Sequence, residues 1–232
     1  CEPCSRGLQN ICDEGARLLT GLSIADDTNR AYTHDGVPLV QMCMLGTFAE
    51  RSTISQHSVV KVDDWLPLDK AVLVGCGVPT GWGSAVYAGN VRAGDIVVIY
   101  GIGGIGINAV QGAVHAGAKY VVVVDPVAFK RDTAVKFGAT HAFASAAEAQ
   151  EKITELSWGQ GADAAIVTVG TVDEDVVSAA IGSIGTDADA TPAVSAYPTF
   201  ASSPASPPAS RGRGSSRRSR RKARAARASR AG

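Results

Sequence analysis

The chain has 232 residues, 45% of them apolar, and a formal net charge of zero. Its longest apolar runs, such as Val121–Val124, are strand-sized and far below the roughly 20 residues needed to cross a bilayer, so no helical membrane span is expected. The zero charge is the sum of two unlike parts: ten of the 22 Lys and Arg lie in residues 211–230 with no acid among them, so residues 1–210 hold 12 bases against 22 acids, a net of −10, and an acidic body and a basic tail need separate readings.

Taken in order, the chain opens at Cys1 without a methionine or a signal peptide, and it reads as a fragment. Cys1, Cys4 and Cys12 form a C-x2-C-x7-C array. With no secretory signal, such clustering favours a metal over disulfides. Thiolates at this spacing can wrap one zinc, although a closed structural site needs four ligands and three are here; the alternative is a loop or a redox pair. The array resembles the structural-zinc lobe of the medium-chain, zinc-containing alcohol dehydrogenases, C-x2-C-x2-C-x7-C. The resemblance implies that Cys1, Cys4 and Cys12 are the last three ligands and that the first lies upstream.

Leu45–Val62 has short β-rich runs broken by polar turns, the pattern of small antiparallel strands. Its Leu-Gly-Thr-Phe-Ala-Glu segment is similar to the G-T-F-A-E-Y block that closes the family's GroES-like catalytic domain, with Arg51 where an aromatic residue is commoner. His34 and His57 sit among polar loop residues and read as surface histidines. Acids and a proline at Asp63–Asp69 prepare a helix. Gly75–Tyr87 is a glycine-punctuated passage into another helix, and its glycines suggest close backbone approach to a ligand. Cys76 alone reads as a small buried thiol. The passage around it, however, resembles the family's G-C-G-V-P-T-G-W-G-S-A-V, which implies that Cys76 ligates a catalytic zinc and that Thr80 contacts the nicotinamide.

The densest signal runs from Asp95 to Asp125. Ile96–Tyr100 and Val121–Val124 read as strands buried on both faces of a parallel sheet, with a helix over Ile105–Ala116 between them. Gly101, Gly103 and Gly106 fall at G-x-G-x-x-G: one for the tight turn, one for approach of a pyrophosphate and one for close helix–strand packing. Together with Gly104 and Ile105 they form the turn whose helix N-terminus offers free N–H groups to phosphates. Asp125 ends the second strand nineteen residues after Gly106, where a carboxylate accepts hydrogen bonds from the ribose hydroxyls and repels a 2′-phosphate; NAD is therefore expected over NADP. Lys130 resembles the family lysine that supports the adenosine ribose.

A helix ending at Gly138, a short strand near His141, a helix over Ala147–Leu156, a strand within Gly161–Gly170 and a helix over Asp173–Ile184 continue the series. This βαβαβα order is the start of a doubly wound parallel α/β sheet. After Gly185 the composition changes to Ala, Ser, Pro, Gly and Arg, and the resemblance stops. A disordered basic tail is expected over residues 186–232, its mixture accounted for by an out-of-frame reading of a GC-rich gene, with a nucleic-acid-binding tail as the alternative. The sheet would then leave Ala164–Val169 near an open edge.

Residues 1–78 are thus expected to be the C-terminal part of a GroES-like catalytic domain and residues 79–185 a partial NAD-binding Rossmann domain. Gly75–Val86, Tyr100–Val110 and Lys136–Phe143 are most similar to the nitrosodimethylaniline-dependent and NAD-dependent alcohol dehydrogenases of actinobacteria; a mycothiol-dependent formaldehyde dehydrogenase is a close alternative. The resemblance implies NAD and zinc as cofactors, an alcohol or aldehyde substrate, a cytoplasmic location and a homo-oligomeric parent. It also implies a polypeptide without activity by itself, because only one catalytic-zinc ligand, Cys76, is present.

Overall fold

The computed structural model describes residues 1–23, 26–186 and 191–194. The chain divides into two compact units, Cys1–Leu66 and a second beginning at Pro67. The division falls ahead of the boundary expected after residue 78, because the helices around Cys76 fold with the second unit.

In the first unit, α1 (Glu2–Ser5) begins with Pro3 in its first turn and is followed by 3-10 turns at Gln9–Ile11 and Asp13–Leu19. A hairpin pairs β1 (Ala31–Tyr32) with β2 (Pro38–Leu39) in antiparallel register, Ala31 opposite Leu39. The strands expected over Leu45–Val62 do not form; the described elements nearby are 3-10 turns at Met42–Met44 and Gln56–Ser58. A strand needs a neighbour for its N–H and C=O groups, and no described segment pairs with this one. Phe48 and Val60, β-formers in the sequence, are exposed instead.

The second unit opens with α2 (Leu68–Ala71), set off by Pro67, and α3 (Gly77–Gly83). Then come β3 (Ile96–Tyr100), α4 (Gly104–Ala116), β4 (Tyr120–Val124), α5 (Ala128–Lys136), β5 (His141–Phe143), α6 (Ala146–Leu156), β6 (Ala164–Val167), α7 (Glu174–Ser183) and β7 (Thr191–Val194). The strands order as β5-β4-β3-β6-β7, and every pairing is parallel. From β3 the chain winds outward through β4 to β5, then crosses back to place β6 on the other side of β3. That reversal creates a topological switch point at the C-terminal ends of β3 and β6, where open α/β sheets bind ligands.

The sheet is apolar on both faces because helices cover both. Val97, Ile99, Val121 and Val123 pack with Ala109, Val110 and Ala113 of α4 in one cluster. Ile96, Val98, Tyr100, Val122 and Val124 pack with Ala149 and Ile153 of α6 in the other. Complete burial of side chains such as Ile99 and Ile166 contributes about 1.5–3 kcal/mol each. α6 starts with a capping box: Ser145 Oγ accepts from the Glu148 N–H while Glu148 Oε2 accepts from the Ser145 N–H.

One expectation is corrected at the C-terminal side. Thr191–Val194, assigned to the tail by composition, forms β7 and pairs with Ala164–Val167, so the edge expected on β6 is covered. Pro192, which lacks an N–H, lies in this outer strand, the place in a sheet where proline is tolerated. The basic run 211–230 lies outside the described residues.

Candidate cofactor and metal sites

The glycine turn sits at the switch point. Gly101 follows β3 with φ +87° and donates to the Val124 carbonyl at 2.8 Å; a Cβ in this left-handed conformation would be strained and would also strike Val169. One helical turn on, a Cβ on Gly106 would overlap the Gly101 carbonyl and crowd Thr168 Oγ1. That carbonyl accepts a 2.5 Å hydrogen bond from the buried Thr168 hydroxyl, which ties the turn to the end of β6. The outer side is different: a Cβ on Gly103 or Gly104 would meet nothing within 4 Å. No side chain caps the N-terminus of α4, so the N–H groups of its first turn, at Gly104, Ile105 and Gly106, lie where an anion can be held by the helix end.

Asp125 faces the same turn from the end of β4 and is only 3% exposed. Its Oδ2 accepts from the Ile102 N–H at 2.8 Å and its Oδ1 from the Val127 N–H at 2.9 Å. Lys130 Nζ stands 3.4 Å from Oδ2. A buried carboxylate needs such partners, and these also fix its direction relative to the glycine turn. Two contributors were not visible in the sequence. Thr168 is one; the other is Arg131, whose Nη1 donates to the carbonyls of both Asp125 and Pro126 at 2.8 Å. Neither belongs to a recognised motif: Thr168 acts on backbone 67 residues away in the sequence, and Arg131 acts on the backbone just ahead of its own helix.

Thr80 and Cys76 belong to the same unit. A Cβ on Gly81 would overlap the Ile105 carbonyl, so α3 rests directly on the first turn of α4 and Thr80, half-buried, is carried beside it. Gly81 therefore serves helix contact, not the ligand approach that the glycine-rich passage suggested. Cys76 is exposed at the N-terminus of α3 and is not the buried thiol of the bland alternative.

The N-terminal thiols converge. The single turn of α1 sets Cys1 and Cys4 three residues apart, and the 3-10 turn at Gln9–Ile11 returns Cys12 to them. Their sulfurs lie within 4.8 Å of one another, with Cys1 Sγ 3.8 Å from Cys12 Sγ. Sulfurs on a tetrahedral zinc with Zn–S of about 2.3 Å stand roughly 3.8 Å apart, so the cluster fits such an ion. A hydrogen bond with Cys12, then burial and the neighbouring Cys12 charge, raise the Cys4 thiol above its ordinary pKa. Among the described residues this is the one group of three or more His, Cys, Asp or Glu side chains close enough to hold a metal, and Cys76 is not in it. Two open clefts of 610 and 750 Å3 in the first unit share Arg30, Gln41 and Thr53, and neither includes these three thiols.

The chain is similar to known proteins of one kind. Residues 104–191 match the zinc-binding dehydrogenase family. The chain is 68% identical over 185 residues to a Mycobacterium tuberculosis protein provisionally named alcohol dehydrogenase D, covering 80% of this chain and 50% of that one. It is 65% identical over 185 residues to the NDMA-dependent alcohol dehydrogenase of Amycolatopsis methanolica, covering 80% and 49% respectively. The crystal structure of an alcohol dehydrogenase zinc-binding domain protein from Burkholderia ambifaria superposes with a TM-score of 0.74 at 29% identity, covering 88% of this chain and 54% of that one. The chain thus spans about half the length of the curated relatives it matches.

Proposed function

We propose, from the match of residues 104–191 to the zinc-binding dehydrogenase family, that the chain is the NAD-binding part, with the structural-zinc lobe, of a zinc-dependent alcohol dehydrogenase that moves hydride from a primary alcohol to NAD. The observation that carries this reading is the buried Asp125 carboxylate hydrogen-bonded to Ile102 inside a glycine turn whose outer side is open. In this assignment Gly101, Gly103, Gly104, Ile105 and Gly106 form the pyrophosphate turn. Asp125 and Lys130 take the adenosine ribose, and Thr80 lies against the nicotinamide. Cys76 is one ligand of the catalytic zinc, and Cys1, Cys4 and Cys12 hold the structural ion.

The chemistry a catalytic zinc supplies when bound is Lewis-acid stabilisation of the alkoxide. This chain's own residues do the rest by position. The N–H groups of the first turn of α4 would hold the phosphates, Gly103 would leave room for them, and Asp125 would accept from the ribose hydroxyls. Exposure of Cys76 at the start of α3 leaves its sulfur accessible to a metal. Identity at 65% to the NDMA-dependent enzyme supports a simple alcohol over a thiol adduct such as that used by a mycothiol-dependent formaldehyde dehydrogenase. A cytoplasmic location and a homo-oligomeric whole protein belong to this reading, the first supported by three clustered thiols that fit a metal.

The test is a fluorescence titration of the purified chain with NAD and NADP, together with metal analysis. Saturable NAD binding, weaker NADP binding and bound zinc are expected. Absence of NAD binding by folded protein would sink the reading. In a complete relative, Cys76→Ser should abolish turnover, leave NAD affinity near normal and release one zinc per subunit; retained zinc and rate would remove Cys76 from the metal site.

A further inference from the structure

Arg131 occupies a position that its charge does not explain. It stands in the first turn of α5 beside Lys130, and no acid accompanies them there. Cations at a helix N-terminus oppose the helix dipole; α6 and α7, by contrast, begin with Glu148 and with Glu174 and Asp175. Arg131 has a compensating interaction of unusual form: among the described residues it bonds no carboxylate, and its Nη1 donates to the carbonyl oxygens of Asp125 and Pro126, each at 2.8 Å.

Those carbonyls lie where the sheet runs out. Asp125 is the last residue of this segment joined to β5, its N–H donating to the Phe143 carbonyl at 3.2 Å, and Pro126 has no N–H to extend the ladder. The segment that Arg131 grips is the same one that aims the carboxylate, because Oδ1 is held by Val127 within it and Oδ2 by Ile102 across from it. A shift of the 125–127 backbone would swing the carboxylate away from the glycine turn.

We propose that Arg131 is a positioning residue for cofactor choice: by holding the carbonyls of Asp125 and Pro126 it fixes the turn that presents the Asp125 carboxylate to the 2′-hydroxyl of the adenosine ribose. This rests on the NAD reading above. With Nη1 engaged by both backbone carbonyls, Arg131 acts through the turn, so its removal slackens discrimination and leaves the preferred cofactor unchanged.

The experiment compares wild-type chain with Arg131→Ala and Arg131→Lys, measuring dissociation constants for NAD, AMP and 2′-deoxy-AMP and the thermal midpoint of each protein. Loss of charge-assisted hydrogen bonds from a half-exposed site should weaken NAD binding about tenfold in the alanine variant. AMP should weaken similarly while 2′-deoxy-AMP changes little, which narrows the ratio between the two nucleotides. The lysine variant, whose ammonium can still donate to carbonyls, should recover part of that ratio, and it carries the test if the alanine variant fails to fold. An alanine variant that keeps the wild-type ratio, or that weakens both nucleotides equally, overturns the proposal while leaving the NAD reading standing; a lysine variant with no recovery also overturns it. Folded wild-type protein that binds no NAD overturns both.

Discussion

At the scale of single residues, the proposed NAD site gives Asp125 the role on which cofactor choice turns. Its carboxylate is buried, so a 2′-phosphate brought against it would meet a charge that solvent cannot screen, while a ribose diol would meet an acceptor. Asp125→Gly should therefore lower the NAD over NADP affinity ratio by about tenfold or more, read by parallel titrations; an unchanged ratio removes Asp125 from the site. Tyr100, at the end of the neighbouring strand β3, gives a second test that depends on pH. Burial raises its phenol above the ordinary value, and its hydroxyl donates to the Ala179 carbonyl at 3.3 Å. The folded state thus disfavours the phenolate, and an unfolded chain releases its proton first. The contribution of this group to stability is fully present below about pH 10, the ordinary tyrosine value, and is lost as pH rises above it. Tyr100→Phe should flatten the fall in stability above about pH 10, as measured by denaturant melts, at the cost of about 1 kcal/mol at neutral pH from the lost hydrogen bond; an identical alkaline slope in both proteins would contradict this.

At the scale of elements, the strand–turn–helix unit from β3 through β4 was legible because local and tertiary demands coincide there. β-branched runs specify buried strands, and each glycine occupies a place that a side chain would spoil or obstruct. The two kinds of glycine should separate experimentally. Gly106→Ala forces a methyl into the Gly101 carbonyl and should destabilise the second unit by about 1–3 kcal/mol or more, visible as a lower thermal midpoint without any ligand. Gly104→Ala faces open space, so its thermal midpoint should hold or rise slightly while NAD affinity falls, because the methyl projects toward the phosphates. Equal midpoints for the two variants would refute the packing role of Gly106. Elements whose formation depends on distant partners were not legible. Leu45–Val62 has strand composition and forms no strand, since pairing is a property of neighbours. Thr191–Val194 sits at the entrance to a low-complexity run and still pairs with β6. Thr168 escaped notice for the same reason, as it binds main-chain carbonyls that only the folded sheet brings near, whereas Arg131 lies close in sequence to the carbonyls it binds and escaped notice because a cation in a helix's first turn carries no motif.

At the scale of the whole molecule, the proposed metal chemistry divides between the cluster of Cys1, Cys4 and Cys12 and Cys76, which stands outside that cluster. Catalytic zinc requires three protein ligands with an open fourth position, yet among the described residues the only metal-sized group is Cys1, Cys4 and Cys12. Cys76 joins no such group, so the polypeptide should load one zinc and not two. Three thiolates leave that zinc one coordination position short of a closed site, and its affinity should depend steeply on pH, falling as the pH drops and the thiols, Cys4 above all with its raised pKa, regain their protons. The glycine turn, by contrast, is built from β3, α4 and β4 and tied to the end of β6 by Thr168, and it asks nothing of the metal. The expected outcome is a protein that binds NAD, carries close to one zinc per chain and forms no NADH when ethanol is added. Cys4→Ser should strip that zinc, Cys76→Ser should leave it in place, and neither should change NAD affinity by more than about twofold, since additivity holds for independent sites. Metal analysis, cobalt substitution with its thiolate charge-transfer absorption, and NAD titration measure these separately. A second zinc that disappears with Cys76→Ser, or NADH formation by the wild-type chain, would show that Cys76 finds ligands which the described residues do not bring to it.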